Sequence, residues 1–215
     1  MDLIKEEKVN KKAIFYWLLS LTIITFLMIL IGGLTRLTDS GLSMVDWRPI
    51  LGTIPPLNNE DWIAVFNQYK NSPEFKIVNK NMELNDFKYI FWWEWFHRFF
   101  ARLIGIVFIF PFIYFYLKKY LNNFFYKRFT IIFGLGLIQA FVGWWMVKSG
   151  LVNDPYVSQY RLTFHLMNAV VIYCLLLWTC IEYYHFKNMV FLSSFNKKAF
   201  WIFLSIVFVF ITIFS

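Results

Sequence analysis

The apolar positions of this chain fall into five long runs, 14–34, 89–117, 129–147, 162–184 and 199–215, separated by polar stretches. A helix that crosses a bilayer needs about 20 mostly apolar residues, so the first four runs have spanning length and the fifth is marginal. All five are apolar on every side and lack the period-two alternation of a membrane barrel strand. The fold class they predict is all-α: a polytopic membrane bundle of five transmembrane helices. The first run is too long for a signal-peptide core and lacks a clear small-residue cleavage site, so it reads as a retained helix.

Between the first two runs lies the one sizeable polar region, 35–88. It opens with TRLTDSGLSMVDWRPILGTIPPLN, where Gly41, Pro49, Gly52, Pro55 and Pro56 punctuate the chain into turns. In NEDWIAVFNQYKNSP, Trp62, Val65, Phe66 and Tyr69 recur at three- and four-residue spacing, as on an amphipathic helix, with Asn58 or Asn59 as its cap. A second short helix is expected over 83–90, running into the second span. The division that follows is a polar tail at 1–13, a four-helix half at 14–184 with a folded cap at 35–88, and a loop with a further helix at 185–215. Short connections elsewhere predict that successive spans are antiparallel neighbours. Gly136, Ala140 and Gly143 form a stripe of small residues on the third span.

Composition agrees: 59% of the 215 residues are hydrophobic, 23% aromatic and only 16% charged, a balance that excludes an ordinary soluble domain. The net charge of +8 does not point to nucleic acid, because of where it lies. Lys5, Lys8, Lys11 and Lys12 precede the first span, Lys118, Lys119, Lys127 and Arg128 join the second to the third, and Lys187, Lys197 and Lys198 join the fourth to the fifth. These segments share one side, which the positive-inside bias makes cytoplasmic, with the N-terminus there and the cap outside. Cys174 and Cys180 lie six apart in one span and read as small buried apolar residues.

The polar groups inside the spans carry the candidate chemistry. In EWFHRFFARLIG, residues 94–105, Glu94 and His97 are three apart and share a helix face. Arg98 follows Glu94 by four and Arg102 follows Arg98 by four. Ala101 and Gly105 succeed His97 at the same spacing and leave room for a flat ligand. The fourth span repeats the device, with Arg161, His165 and Ala169 each four apart and Asn168 alongside. Both histidines fall in the outer third of the bilayer, His97 roughly 10 Å from the interface. Two imidazoles at similar depth suit the axial positions of one heme iron, and arginines toward the outer edge suit its propionates. Zinc, or histidines that merely pack and hydrogen-bond, are the competing readings, and the aromatic setting favours a macrocycle. Glu94 reads either as a catalytic acid or as the ion-pair partner of Arg98. Arg36 reads as an interfacial anchor or a propionate contact, and Trp92, Trp93 and Trp95 as an interfacial belt.

The segments GGLTRLTDSGLSMVDWRPILGTIPPL, FKYIFWWEWFHRFFARLIG, GWWMVKSGLV and YRLTFHL together resemble heme A synthase of the mitochondrial and proteobacterial type, in order and over essentially the whole chain. The resemblance implies an oxidoreductase that converts the methyl substituent of heme O to the formyl group of heme A for cytochrome c oxidase, with water as the oxygen source. It implies two four-helix halves, each with a His pair on its second and fourth helices. His97 and His165 would then ligate substrate heme, Glu94 would take part in the oxidation, and Arg98, Arg102, Arg161 and Arg36 would contact the propionates or the site. The expected setting is a bacterial inner membrane, with heme O synthase and oxidase assembly factors as partners. The cysteine pair that some bacterial members carry in the first external loop is missing. The second half, with the His pair for the cofactor heme b, is also missing, and the fifth span would be its first helix. The chain therefore reads as a truncated or split product, complemented by a second half or by a homo-oligomer. A non-catalytic b-type electron-transfer protein and an inactive membrane fragment are the alternatives.

Overall fold

The computed structural model describes residues 2–46, 53–152 and 154–185, and within them the regular structure is helical. Helix α1 spans Asp2–Leu37, α2 Asn59–Tyr69, α3 Pro73–Ile77, α4 Leu84–Leu117, α5 Asn123–Gly150 and α6 Gln159–His185. Four of them, over Lys11–Leu37, Leu84–Leu117, Asn123–Gly150 and Gln159–Tyr184, are long and apolar enough to cross a membrane. The fifth expected span lies outside the described residues. The polar stretch read as a tail is helical from Asp2 and continues into the first span.

Side-chain caps define the helix starts. Asn58 Oδ1 accepts from the Asp61 amide at 2.8 Å, and Asn122 Oδ1 from the Phe125 amide at 2.9 Å. Helix α3, which the sequence reading missed, has Ser72 as its N-cap and Pro73 at its first position, where the missing N–H costs nothing. Helices α1 and α4 end by reversal of the chain. Asp39 and Lys119 adopt left-handed backbone angles (φ 48° and 57°), and the next amides, Ser40 and Tyr120, bond back to Thr35 and Phe115.

Packing order differs from chain order. Helix α1 packs along both α4 and α6, and α5 packs along α6, whereas the successive helices α4 and α5 barely touch. Their ring contacts, Phe108 with Phe133 and Phe112 with Tyr126 and Phe129, lie at the basal end, away from the cap. The circuit is therefore α4–α1–α6–α5, and α4 and α6 lie across its diagonal.

Two apolar clusters hold this arrangement. The basal cluster centres on Trp17, whose ring lies 5.8, 5.4 and 5.1 Å from those of Phe108, Phe115 and Phe129. Its indole N–H donates to the Val107 carbonyl at 2.8 Å, so one residue joins three helices. An ion pair between Arg128 and Glu182 ties α5 to α6. The cap cluster packs Trp62, Phe66 and Tyr69 of α2 against Phe87, Ile90 and Phe91 in the first turns of α4. At about 1.5 Å per residue, the 34 residues of α4 exceed the roughly 30 Å hydrocarbon thickness, which leaves those turns free to serve the cap. Trp92 and Trp95 also pack against the cap cluster, so the expected belt is partly an internal contact. Between the clusters lies a zone in which 95–107 of α4, 26–34 of α1 and 161–169 of α6 contain no fully buried residue.

Within the cap, Tyr69 is wholly buried and its hydroxyl donates to Glu74 Oε2 at 2.9 Å while accepting from Asn79 Nδ2 at 2.8 Å. Burial pushes the Tyr69 phenol up, which keeps it a donor. Burial also pushes the Glu74 carboxyl up to about 7, opposed by the Tyr69 hydrogen bond and reinforced by the charges of Glu94 and Asp39.

Trp17→Ala is expected to cost roughly 3–5 kcal/mol, read as a lower unfolding temperature in detergent, because it leaves a cavity at the junction of three helices. The Glu74 shift gives a pH prediction. A carboxyl whose folded pKa exceeds its unfolded value near 4.5 binds more protons when folded, so its contribution is fully favourable below about 4.5. That contribution declines between about 4.5 and 7 and stays lost above. Amide protection factors of residues 59–82, with the intrinsic pH dependence of exchange divided out, should therefore fall from pH 5 to pH 7.5, and Glu74→Gln should flatten that fall.

Candidate functional site

The zone between the two clusters contains His97, Arg98, Arg102, Arg161 and His165, with Glu94 at its border. Glu94 is buried, 2% exposed, at the point where the cap meets α4. Its Oε2 accepts from the Ser43 hydroxyl and from the Met44 amide, both at 2.7 Å, and its Oε1 accepts from Arg98 Nη2. The same Arg98 nitrogen donates to the Met44 carbonyl at 3.2 Å. A buried carboxylate is tolerable only when paired and hydrogen-bonded, and here three donors meet that need. The left-handed turn at Asp39 brings Ser43 and Met44 back over α4 to supply two of them.

One turn further along α4, His97 faces α1. A Cβ on Gly32 would stand 3.3 Å from His97 Nε2, so the absent side chain lets the ring pack close against α1. On the opposite diagonal, His165 packs against α5 at Gly143, where a Cβ would stand 2.9 Å from Cε1 of the ring. No larger residue fits there. His165 Nε2 lies 3.2 Å from Gln139 Nε2, and His165 Nδ1 is buried without a hydrogen-bond partner. Beside Gly105, on the face of His97, a Cβ would meet nothing within 4 Å.

These features fit a heme. Two imidazoles on diagonal helices, each flanked by a glycine that leaves room beside its ring, could supply two nitrogen ligands to a heme iron. Among the described residues no three His, Cys, Asp or Glu side chains converge, so zinc has no comparable ligand set.

The arginines fare differently from one another. Arg98 is engaged with Glu94 and Met44. Arg161 donates to the Trp145 carbonyl at 2.8 Å and lies 4.3 Å over the Trp145 ring, which fixes it to the outer end of α5. Arg36 pairs at 3.2 Å with Asp39 in an exposed position. Arg102 is half-buried on α4, one turn beyond Arg98.

Sequence reasoning missed three contributors. Ser43 and the Met44 amide lie some fifty residues from Glu94 and bear no local mark of the contact. Gln139 was detectable, because an amide inside a span signals a polar partner. Of the two glycines in the small-residue stripe, Gly143 makes a close contact, with His165, whereas Gly136 faces open space.

A family model described as cytochrome oxidase assembly protein, COX15-CtaA, matches residues 15–215. The chain is 48% identical over 172 residues to a protein named Heme A synthase from Nitrosospira multiformis, covering 80% of this chain and 48% of that one. It is 41% identical over 199 residues to Heme A synthase of Parvibaculum lavamentivorans, covering 93% and 58%. It is 46% identical over 181 residues to Heme A synthase COX15 of Saccharomyces cerevisiae, covering 80% and 37%. The chain thus spans about half the length of the curated relatives it matches. No solved structure matches it. With its helical architecture and this continuous match, the chain belongs to the COX15-CtaA family of heme A synthases.

Proposed function

We propose that this chain binds heme O between α4 and α6, where His97 and His165 would hold its iron, and that it takes part in oxidising the heme O methyl substituent to the formyl group of heme A. The observation that carries this reading is the glycine-flanked histidine pair on diagonal helices, with Glu94 one helical turn from His97. Conversion of a methyl to a formyl group with water as the oxygen source releases four protons and four electrons, so the site needs a proton acceptor and a path outward. Glu94 fills the first role. Ser43 Oγ has the Ile90 carbonyl as a second acceptor at 3.4 Å, so its hydroxyl can turn away when Glu94 takes a proton. Arg98 stays bound to Oε1 and steadies the carboxyl through the change.

Arg102 and Arg161 are the propionate partners in this reading. Arg161 spends one guanidinium N–H on Trp145 and keeps the others for a carboxylate. Arg36, already paired with Asp39, is the weakest of the four. In this reading the N-terminus lies on the cytoplasmic side of a bacterial cell membrane and the cap outside, a sidedness that the basic segments support. Heme O synthase is the source of substrate, and cytochrome oxidase assembly supplies the demand for product. Electrons from the oxidation would pass to a cofactor heme b, which the resemblance assigns to residues other than His97 and His165.

A second reading, a b-type heme protein that transfers electrons without oxidising the heme, is favoured by one observation: Arg98, Ser43 and the Met44 amide bind both oxygens of Glu94, as in a structural tie between the cap and α4. Variants separate the two. His97→Ala and His165→Ala are each expected to lose most bound heme after purification from heme O-producing cells, and wild-type heme content in both would sink the site. Glu94→Gln should keep the heme and slow heme A formation by roughly a hundredfold, the scale of one general acid–base group. Retained heme with unchanged heme A formation would favour the electron-transfer reading.

A further inference from the structure

An amide chain runs from the backbone of α5 to the imidazole of His165. Asn168 Nδ2 donates to the Leu135 carbonyl at 3.1 Å and to Gln139 Oε1 at 2.8 Å. A carbonyl can only accept, so Leu135 fixes which end of the Asn168 amide faces α5. That in turn fixes Gln139, with its oxygen toward Asn168 and its NH2 toward the ring. Gln139 Nε2 lies 3.2 Å from His165 Nε2, and an amide nitrogen can only donate, so His165 Nε2 is the acceptor. The ring proton is consequently on Nδ1, the atom buried without a partner. Contact with Gly143 along the other edge holds the ring in this setting.

An imidazole binds a metal through the lone pair of its unprotonated nitrogen. On His165 that lone pair is already directed at Gln139. We propose that Gln139 is a positioning residue, a displaceable cap on His165 Nε2 that competes with the heme iron for this lone pair and sets how fast heme leaves the His165 side. The inference rests on the heme-binding reading above. Gln139 acts in both states of the site. It holds the tautomer whose Nε2 can ligate, and it re-forms its hydrogen bond as the iron departs, sparing a bare acceptor in an apolar interior. His97 has Gly32 as its neighbour, which has no side chain with which to do the same. The two axial positions are therefore unequal, a firm one on α4 and an exchangeable one on α6, as a site needs when one heme enters and another leaves.

The test uses the full chain in detergent, loaded with hemin, with two readouts: the low-spin bis-imidazole spectrum and the rate of heme transfer to excess apomyoglobin. Gln139→Leu and Gln139→Met remove the donor at nearly constant volume, and if one fails to fold the other decides. Each is expected to keep the low-spin spectrum and to slow transfer roughly three- to tenfold, the scale of one net hydrogen bond. His165→Ala in the same preparation is expected to lose the low-spin spectrum. Unchanged or faster transfer in the Gln139 variants, with that loss still seen in His165→Ala, overturns the cap and leaves the heme reading standing. A His165→Ala variant with the wild-type spectrum overturns both.

Discussion

Both oxygens of Glu94 are bound by groups that belong to two separate parts of the chain, Arg98 on the same helix and Ser43 with Met44 on the segment leaving α1. Through this one carboxylate the cap, the top of α1 and the outer third of α4 are fixed relative to one another. Without it a half-buried arginine and a buried amide would each lose a partner, and the segment after the turn at Asp39 would lose two of the hydrogen bonds that hold it over α4. His97, one turn deeper, takes its position from the same fixed segment. The placement of the candidate ligand is thus a consequence of how a charge is made tolerable in an apolar setting.

The two apolar clusters divide the labour. Aromatic packing around Trp17 closes the basal end, and packing of α2 on α4 closes the cap. The zone between them is held by hydrogen bonds and by glycine contacts, which constrain geometry without filling volume. Gly143 shows the difference, because its missing side chain is the space that His165 occupies.

What could be read from the sequence was local. The four spans, the α2 helix with its Trp62–Phe66–Tyr69 face, the Asn58 cap and the shared face of Glu94 and His97 all follow from spacing within a single helix. What could not be read depends on which helices touch. The diagonal relation of α4 and α6, and the weak contact of the successive helices α4 and α5, arise from the way α1 inserts between α4 and α6, and no periodicity encodes that. The Met44 amide that binds Glu94 is a backbone group, identical at every non-proline residue, and so leaves no trace in the sequence. Helix α3 was hidden for another reason: Pro73 looks like a breaker, and only the Ser72 cap shows it to be a start.

The sparse contact between α4 and α5 has a mechanical consequence. Among the described residues, a bundle closed on three seams and joined on the fourth only near one end behaves like a clothes peg, with the aromatic knot at its basal end as the spring. Parting its free end toward the lipid disrupts few side-chain contacts and leaves the Trp17 junction intact. A bulky amphiphile dissolved in the bilayer would meet its lowest barrier there, entering sideways from the lipid without first crossing water.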